Sequence, residues 1–256
     1  MNRRDFLVAL TGVLAFGSMA KAMMPDHAVD PVAVDLPPFN RMVLELLRRY
    51  PTDGTHGYHW PKDSSYDGSS RDVMMWGRRV LRGEPERRTF CCGLTLEVFL
   101  DAWQQWVALN PDAAAALQPR HFDDFRKDWF VREVRGAGPA EALVGRGIGR
   151  IVPYDEARPG DFLQLWRTND TGHSAIFLGW IRNPAEEIVG VNYWSSQKNT
   201  NGIAERFEYF DAPELRPLLE AEDPRLGGSS VMKGLMLRDF TVIGRVEPPI
   251  QQKPLR

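Results

Sequence analysis

Arg88-Thr89-Phe90-Cys91-Cys92-Gly93-Leu94-Thr95-Leu96-Glu97-Val98-Phe99-Leu100 contains both cysteines of this 256-residue chain. A polar lead-in gives way there to an apolar run, Leu94, Val98, Phe99, Ala102, Trp103 and Trp106, whose spacing fits a helix burying one face. The spacing predicts a helix over about 92–109, ended by Asn110-Pro111. A thiol in the first turn of such a helix feels the positive end of the macrodipole, which favours thiolate over thiol. The competing reading is two small hydrophobes in a core, because free cysteine is among the most buried residue types. Adjacent cysteines cannot staple distant segments, so the chain is not a disulfide scaffold. A redox dithiol normally uses Cys-x-x-Cys spacing, which this pair lacks.

Upstream, Met1-Asn2-Arg3-Arg4-Asp5-Phe6-Leu7 leads into a short apolar run and then Ala20-Lys21-Ala22. A charged start, a short apolar stretch and a small-x-small site are the parts of an export signal. The twin arginine followed by x-Phe-Leu resembles the twin-arginine export signal, so residues 1–22 are expected to be cleaved and the protein to be periplasmic or secreted. The apolar run is too short to span a bilayer stably, so no membrane span is expected after cleavage. Residues 23–256 are read as one domain, with 23–87 as an N-terminal helical and loop extension. Net charge is −2 with no basic stripe, which argues against nucleic acid as the main partner.

The remainder orders as helices and then strands. A short amphipathic helix is expected over 40–50, a long turn-rich loop over 51–72, and a helix over 72–81. Further short helices are expected over 113–117 and 121–129, and the glycine-rich 135–150 reads as a surface loop. Strands follow over 162–166, 173–180, 187–194, 203–210 and 239–246. Residues 211–232 read as short helical or irregular structure before the last strand. Helices first and a strand meander second indicate an α+β domain with an antiparallel sheet.

A cysteine nucleophile needs a base near it in space and a third group to orient that base. His27 lies in the lead-in and His121 among charged residues. His56 and His59 occupy the glycine- and aromatic-rich loop, where contact with substrate or plain surface outweighs metal ligation, since no further ligand cluster accompanies them. No cofactor or metal is expected. His173 differs, because it begins a strand directly after the turn Asn169-Asp170-Thr171-Gly172 and can stand at the sheet's edge. A structural histidine at a strand start is the alternative.

Cys91-Cys92-Gly93-Leu94 at a helix start resembles the Cys-Ser-Gly-Leu/Phe nucleophile motif of the NlpC/P60-type, papain-like cysteine peptidases. Arg158-Pro159-Gly160-Asp161-Phe162 followed by Gly172-His173-Ser174-Ala175-Ile176-Phe177-Leu178-Gly179 resembles that family's second block. Val191-Asn192-Tyr193-Trp194-Ser195-Ser196 falls where the family's next strand presents a third polar residue. The resemblance covers about residues 88–200 and implies a papain-like α+β fold, with the nucleophile helix packed on an antiparallel sheet. It implies Cys91 as nucleophile, with Cys92 the alternative since it replaces the family's serine, and His173 as base. It implies Asn192 as orienting residue, with Tyr193 and Gln197 as alternatives because a one-residue slip reverses a strand's faces.

The oxyanion would take the backbone N–H of the nucleophile, completed from the upstream loop by Tyr58 or Tyr66, with His59 beside substrate. The implied activity is hydrolysis of amide bonds through a thioester, in peptides or peptidoglycan of the bacterial cell wall. Acyl or peptidyl transfer from the same thioester, and a non-catalytic binding module that keeps the fold, are the alternatives.

Overall fold

The computed structural model describes residues 36–61, 63–211 and 235–248. The expected export signal, most of the lead-in with His27, and residues 212–232 lie outside the described residues. Helix α1 (Pro38–Leu47) buries Phe39, Val43, Leu46 and Leu47 on one face, and a prolyl ring at its first position costs it no hydrogen bond. It packs on α2 (Cys91–Leu109), the central helix. Phe99 of α2 lies at the hub of an aromatic cluster. Its ring centroid is 6.0 Å from Phe39, 5.8 Å from Trp103, 5.0 Å from Trp129 and 5.9 Å from Phe162. Fully burying one such ring contributes roughly 2–3 kcal/mol.

Two expectations fail here. Residues 72–81 form no helix: β1 (Val73–Met75) and β2 (Arg78–Leu81) pair antiparallel. The chain reverses through Trp76 and Gly77, whose φ angles of 52° and 71° suit the left-handed turn of a tight hairpin. Buried Val73, Met75, Val80 and Leu81 satisfy a helical period and a two-strand alternation almost equally well, and the turn decides between them. Residues 135–150 are likewise not a surface loop. After α3 (Pro119–Trp129), they contain α4 (Pro139–Gly145), whose Ala140, Ala142 and Leu143 are fully buried, and β3 (Gly149–Ile151).

The remaining strands are β4 (Phe162–Trp166), β5 (Gly172–Arg182), β6 (Ile188–Gln197), β7 (Gly202–Tyr209) and β8 (Val242–Val246). With β3 they form a six-stranded sheet in the order β3-β8-β4-β5-β6-β7, every pair antiparallel. The fold is α+β with an antiparallel sheet. One face carries α2 against Phe162, Ile176 and Trp194, and the other buries Leu165, Phe177, Tyr193 and Ile243. Among the described residues no helix is long and apolar enough to cross a membrane.

Asp161, at the head of β4, ties these parts together. Its buried carboxylate accepts from Arg245 of β8 through Nε at 2.9 Å and Nη2 at 2.8 Å, from Asn40 Nδ2 of α1 at 2.8 Å, and from the Arg158 N–H at 2.8 Å. The Pro159-Gly160-Asp161 turn therefore joins the first helix, the fourth strand and the last described strand. Its role in this fold is structural.

Candidate functional site

Helix α2 begins at Cys91. The residue before it, Phe90, is extended and supplies no side-chain cap, so the first-turn amides are not taken by a capping side chain. The approach to the helix is fixed by backbone pairing. Thr89 N–H donates to Gly57 O (2.8 Å), His59 N–H to Thr89 O (3.0 Å), and Phe90 N–H to Gly68 O (3.1 Å). Thr89 Oγ1 also donates to Ser196 Oγ at the end of β6 (2.7 Å). Gly93 has a steric reason to be glycine. A Cβ there would stand 2.0 Å from the Asp67 carbonyl oxygen, so only glycine lets the 67–68 loop cross the first turn of the helix.

Both thiols are free and nearly enclosed, Cys91 being 7 % exposed. They are not equivalent. Cys91 lies well below the ordinary thiol range. The Cys92 S–H bonded to it is the largest influence; burial opposes, and the charge and ring hydrogen bond of His173 and the Ser174 N–H add to the lowering. Cys92 is raised well above that range by burial first, then by its bond to Cys91 and the negative charge there. The two thiols are thus pushed in opposite directions, Cys91 toward the thiolate and Cys92 toward the thiol. Of the two sulfurs, Cys91 is the one whose surroundings favour the thiolate.

His173, 5 % exposed, stands at the start of β5. Its Nε2 lies 3.1 Å from Gln197 Oε1, which leaves Nδ1 for the sulfur side. The register explains the partner. Ile176 pairs with Trp194, and continuing that antiparallel count by three residues brings Gln197 level with His173. Asn192, the first choice for the orienting residue, is displaced from the site. It lies beyond an irregularity between Phe177 and Gly179, pairs with Gly179 and Phe207, and makes no contact with the imidazole. Tyr193, the other alternative, packs its ring 5.4 Å from that of His173 and donates its hydroxyl to Glu208 instead.

Of the upstream residues, Tyr58 lies near enough to feel the charge of the cysteines. It bridges to Thr89, and its phenol is pushed up to about 12, by burial first and then by the charges of Cys91 and Cys92. Its hydroxyl has no hydrogen-bond partner among the described residues. Tyr66 does not serve there, because its hydroxyl donates to the His59 carbonyl and its ring stacks 6.0 Å from the His59 ring. His59 is held in that stack. Trp60, 55 % exposed, lays its ring 4.5 Å from Phe90 and forms an open aromatic surface beside the helix start.

Sequence reading missed a buried ion pair behind the imidazole. Arg167 donates to Glu208 through Nε at 2.8 Å and Nη2 at 2.6 Å. Burial works against both charges, yet the pairing keeps Glu208 below the usual carboxylate range and Arg167 above its own, with His173 further favouring the Glu208 anion and Cys91 the Arg167 cation. The available signal was Glu208 among the alternating residues of β7, which is legible only once its strand neighbours are known. Among the described residues no group of three or more His, Cys, Asp or Glu converges as a metal site would require.

This arrangement can form a thiolate, accept and return a proton at an oriented imidazole, and offer a phenolic donor and helix-start amides to a developing oxyanion. Comparisons with protein-family models, with curated proteins and with solved structures found no match to the chain.

Proposed function

We propose that this chain is an exported cysteine hydrolase of papain-like, NlpC/P60-type design that cleaves amide bonds through a thioester, in peptides of the bacterial cell wall. The observation that carries the reading is Cys91 at the first position of α2, its thiol lowered by Cys92 and His173, with the His173 ring held by Gln197. The order of parts supports it: a cysteine helix, a Pro-Gly-Asp strand, a histidine strand, then a polar strand, all on one antiparallel sheet.

In this mechanism the Cys91 thiolate attacks the amide carbonyl carbon. The tetrahedral oxyanion accepts hydrogen bonds from the helix-start amide and the Tyr58 hydroxyl. His173, having taken the Cys91 proton, passes it to the leaving amine as the C–N bond breaks and the thioester forms. The neutral imidazole then takes a proton from water, whose oxygen attacks the thioester. Cys91 leaves as thiolate with the imidazolium restored. Gln197 acts through His173, holding the tautomer that exposes Nδ1, and is a positioning residue.

The test is alkylation by iodoacetamide across pH, followed by incubation with peptidoglycan-derived peptides. Cys91 should alkylate at neutral pH faster than a free thiol, and the protein should release new amine termini. Labelling of both cysteines no faster than glutathione would sink the reading. It would leave the binding module, which the near-complete burial of Cys91 and His173 favours. Export predicts a mature chain beginning at Met23, checked by N-terminal sequencing of periplasmic protein.

A further inference from the structure

A second site-like feature lies away from the thiols. A surface cavity of about 380 Å³ opens between the β1–β2 hairpin and α3, floored by Val80, Leu81 and Phe122. Its volume falls within the range of small-molecule sites. Four guanidiniums, Arg78, Arg79, Arg82 and Arg126, line it, against two carboxylates, Asp67 and Asp123.

The charge balance is uneven in a specific way. Arg126 is paired with Asp67 at 2.8 Å, and Arg79 with Asp72 at 3.0 Å. Arg78 and Arg82 form no salt bridge among the described residues, although Arg82 is near enough to Asp63 and Asp72 to favour their anions. Arg78 donates only to the Pro119 carbonyl (3.2 Å), and Arg82 to the Ser64 carbonyl. Arg82 Nε is shut off from solvent without a hydrogen-bond acceptor among the described residues. An unmet buried donor costs about 1–3 kcal/mol. Gathering like charges around one concavity adds repulsion, and violations of this kind concentrate at functional sites.

We propose that this cavity binds an oxyanion group, phosphate or carboxylate, received by Arg78 and Arg82, with the remainder of the ligand against Val80 and Phe122. Guanidinium forks match both anions in geometry, whereas a lysine-lined cleft would offer only point charges. The Trp76 ring, 37 % exposed and 5.7 Å from Phe122, extends the apolar wall toward solvent. Asp123 limits the excess positive charge, which suits a compact anion better than a long polyanion. The site does not rest on the thiol reading. It does sit close to it in the chain, because Asp67, which holds Arg126 on the cavity side, places its carbonyl over Gly93 on the other.

The experiment titrates inorganic phosphate and, separately, citrate into the full chain at constant ionic strength, with potassium chloride as reference. Melting temperature and calorimetry are the readouts. Saturable binding by at least one of the two is expected, weakened roughly tenfold by Arg78→Ala or Arg82→Gln through loss of a charge-assisted contact. Cys91→Ser should bind as the wild type does, which separates this proposal from the hydrolase reading. Which of the two anions binds identifies the group. Stabilisation no greater than that by chloride, or binding unchanged in both arginine variants, overturns the proposal. Arg78 is exposed and its side chain bonds only the Pro119 carbonyl, so the Arg78→Ala outcome does not depend on how Arg82→Gln folds.

Discussion

Two buried polar clusters stand at the heads of neighbouring strands. At β4, every oxygen of the Asp161 carboxylate is engaged, by Arg245, Asn40 and the Arg158 N–H. At β5, His173 meets Gln197 and feels Cys91, but Gln197 Nε2 is buried with no partner among the described residues. Both clusters derive from short motifs of similar appearance in sequence, and both are enclosed. The first is saturated and fixes geometry. The second keeps an unused donor beside a thiol biased toward its anion, which is what a site needs if a substrate is to complete it.

Removing the sulfur tests the contrast most severely. Cys91→Ser should reduce amide hydrolysis by roughly 10⁴-fold or more while leaving the melting temperature almost unchanged. A retained rate would mean that the second cluster is structural like the first. Asp161→Ala should do the reverse. It strands Arg245 in the interior at a cost of about 3–5 kcal/mol, read as a drop in denaturant midpoint, with the pH profile of Cys91 alkylation unaltered in the folded protein. A small loss would show that the saturated cluster is not the lock it resembles.

Tyr58→Phe should lower turnover roughly 100-fold without slowing alkylation, because an oxyanion donor acts on the substrate and not on the thiol. Equal effects on both would place the phenol in support of the sulfur. The smallest effect belongs to Cys92→Ser. Cys91 has its acidity from Cys92 first, and only its thiolate reacts. Weakening that bond raises the Cys91 pKa, so the alkaline-rising limb of alkylation moves to higher pH and the rate near neutrality falls about tenfold. A limb that stays in place would show that His173 alone sets the charge.

How much of this was legible in the chain follows from the range of each interaction. The helix carrying Cys91 announces itself by local period, and its observed start differs by one residue from the expected one. The five strands of the second half were read as strands for the same reason. The hairpin at Trp76-Gly77 was misread because its apolar residues fit two periods. Helix α4 was masked by flanking glycines, although Pro139-Ala140-Glu141-Ala142-Leu143 is ordinary helix-forming sequence. Gln197 and Glu208 depend on register across strands. Register puts Gln197 level with His173 and leaves Asn192 five residues away along β6, and no local pattern encodes that alignment.

The position of β8 between β3 and β4 has a consequence for biosynthesis. Residues 242–246 must arrive before β3 or β4 has its partner on that side, and Arg245 arrives with them. A nascent polypeptide halted anywhere short of that point has already emerged with its reactive sulfur, yet lacks the strand that closes the sheet. The ribosome therefore exposes the thiol roughly 150 residues before the protein can fold around it, and contacts so distant in sequence form slowly. Chaperone shielding during that interval would guard the sulfur from oxidants as well as the chain from aggregation.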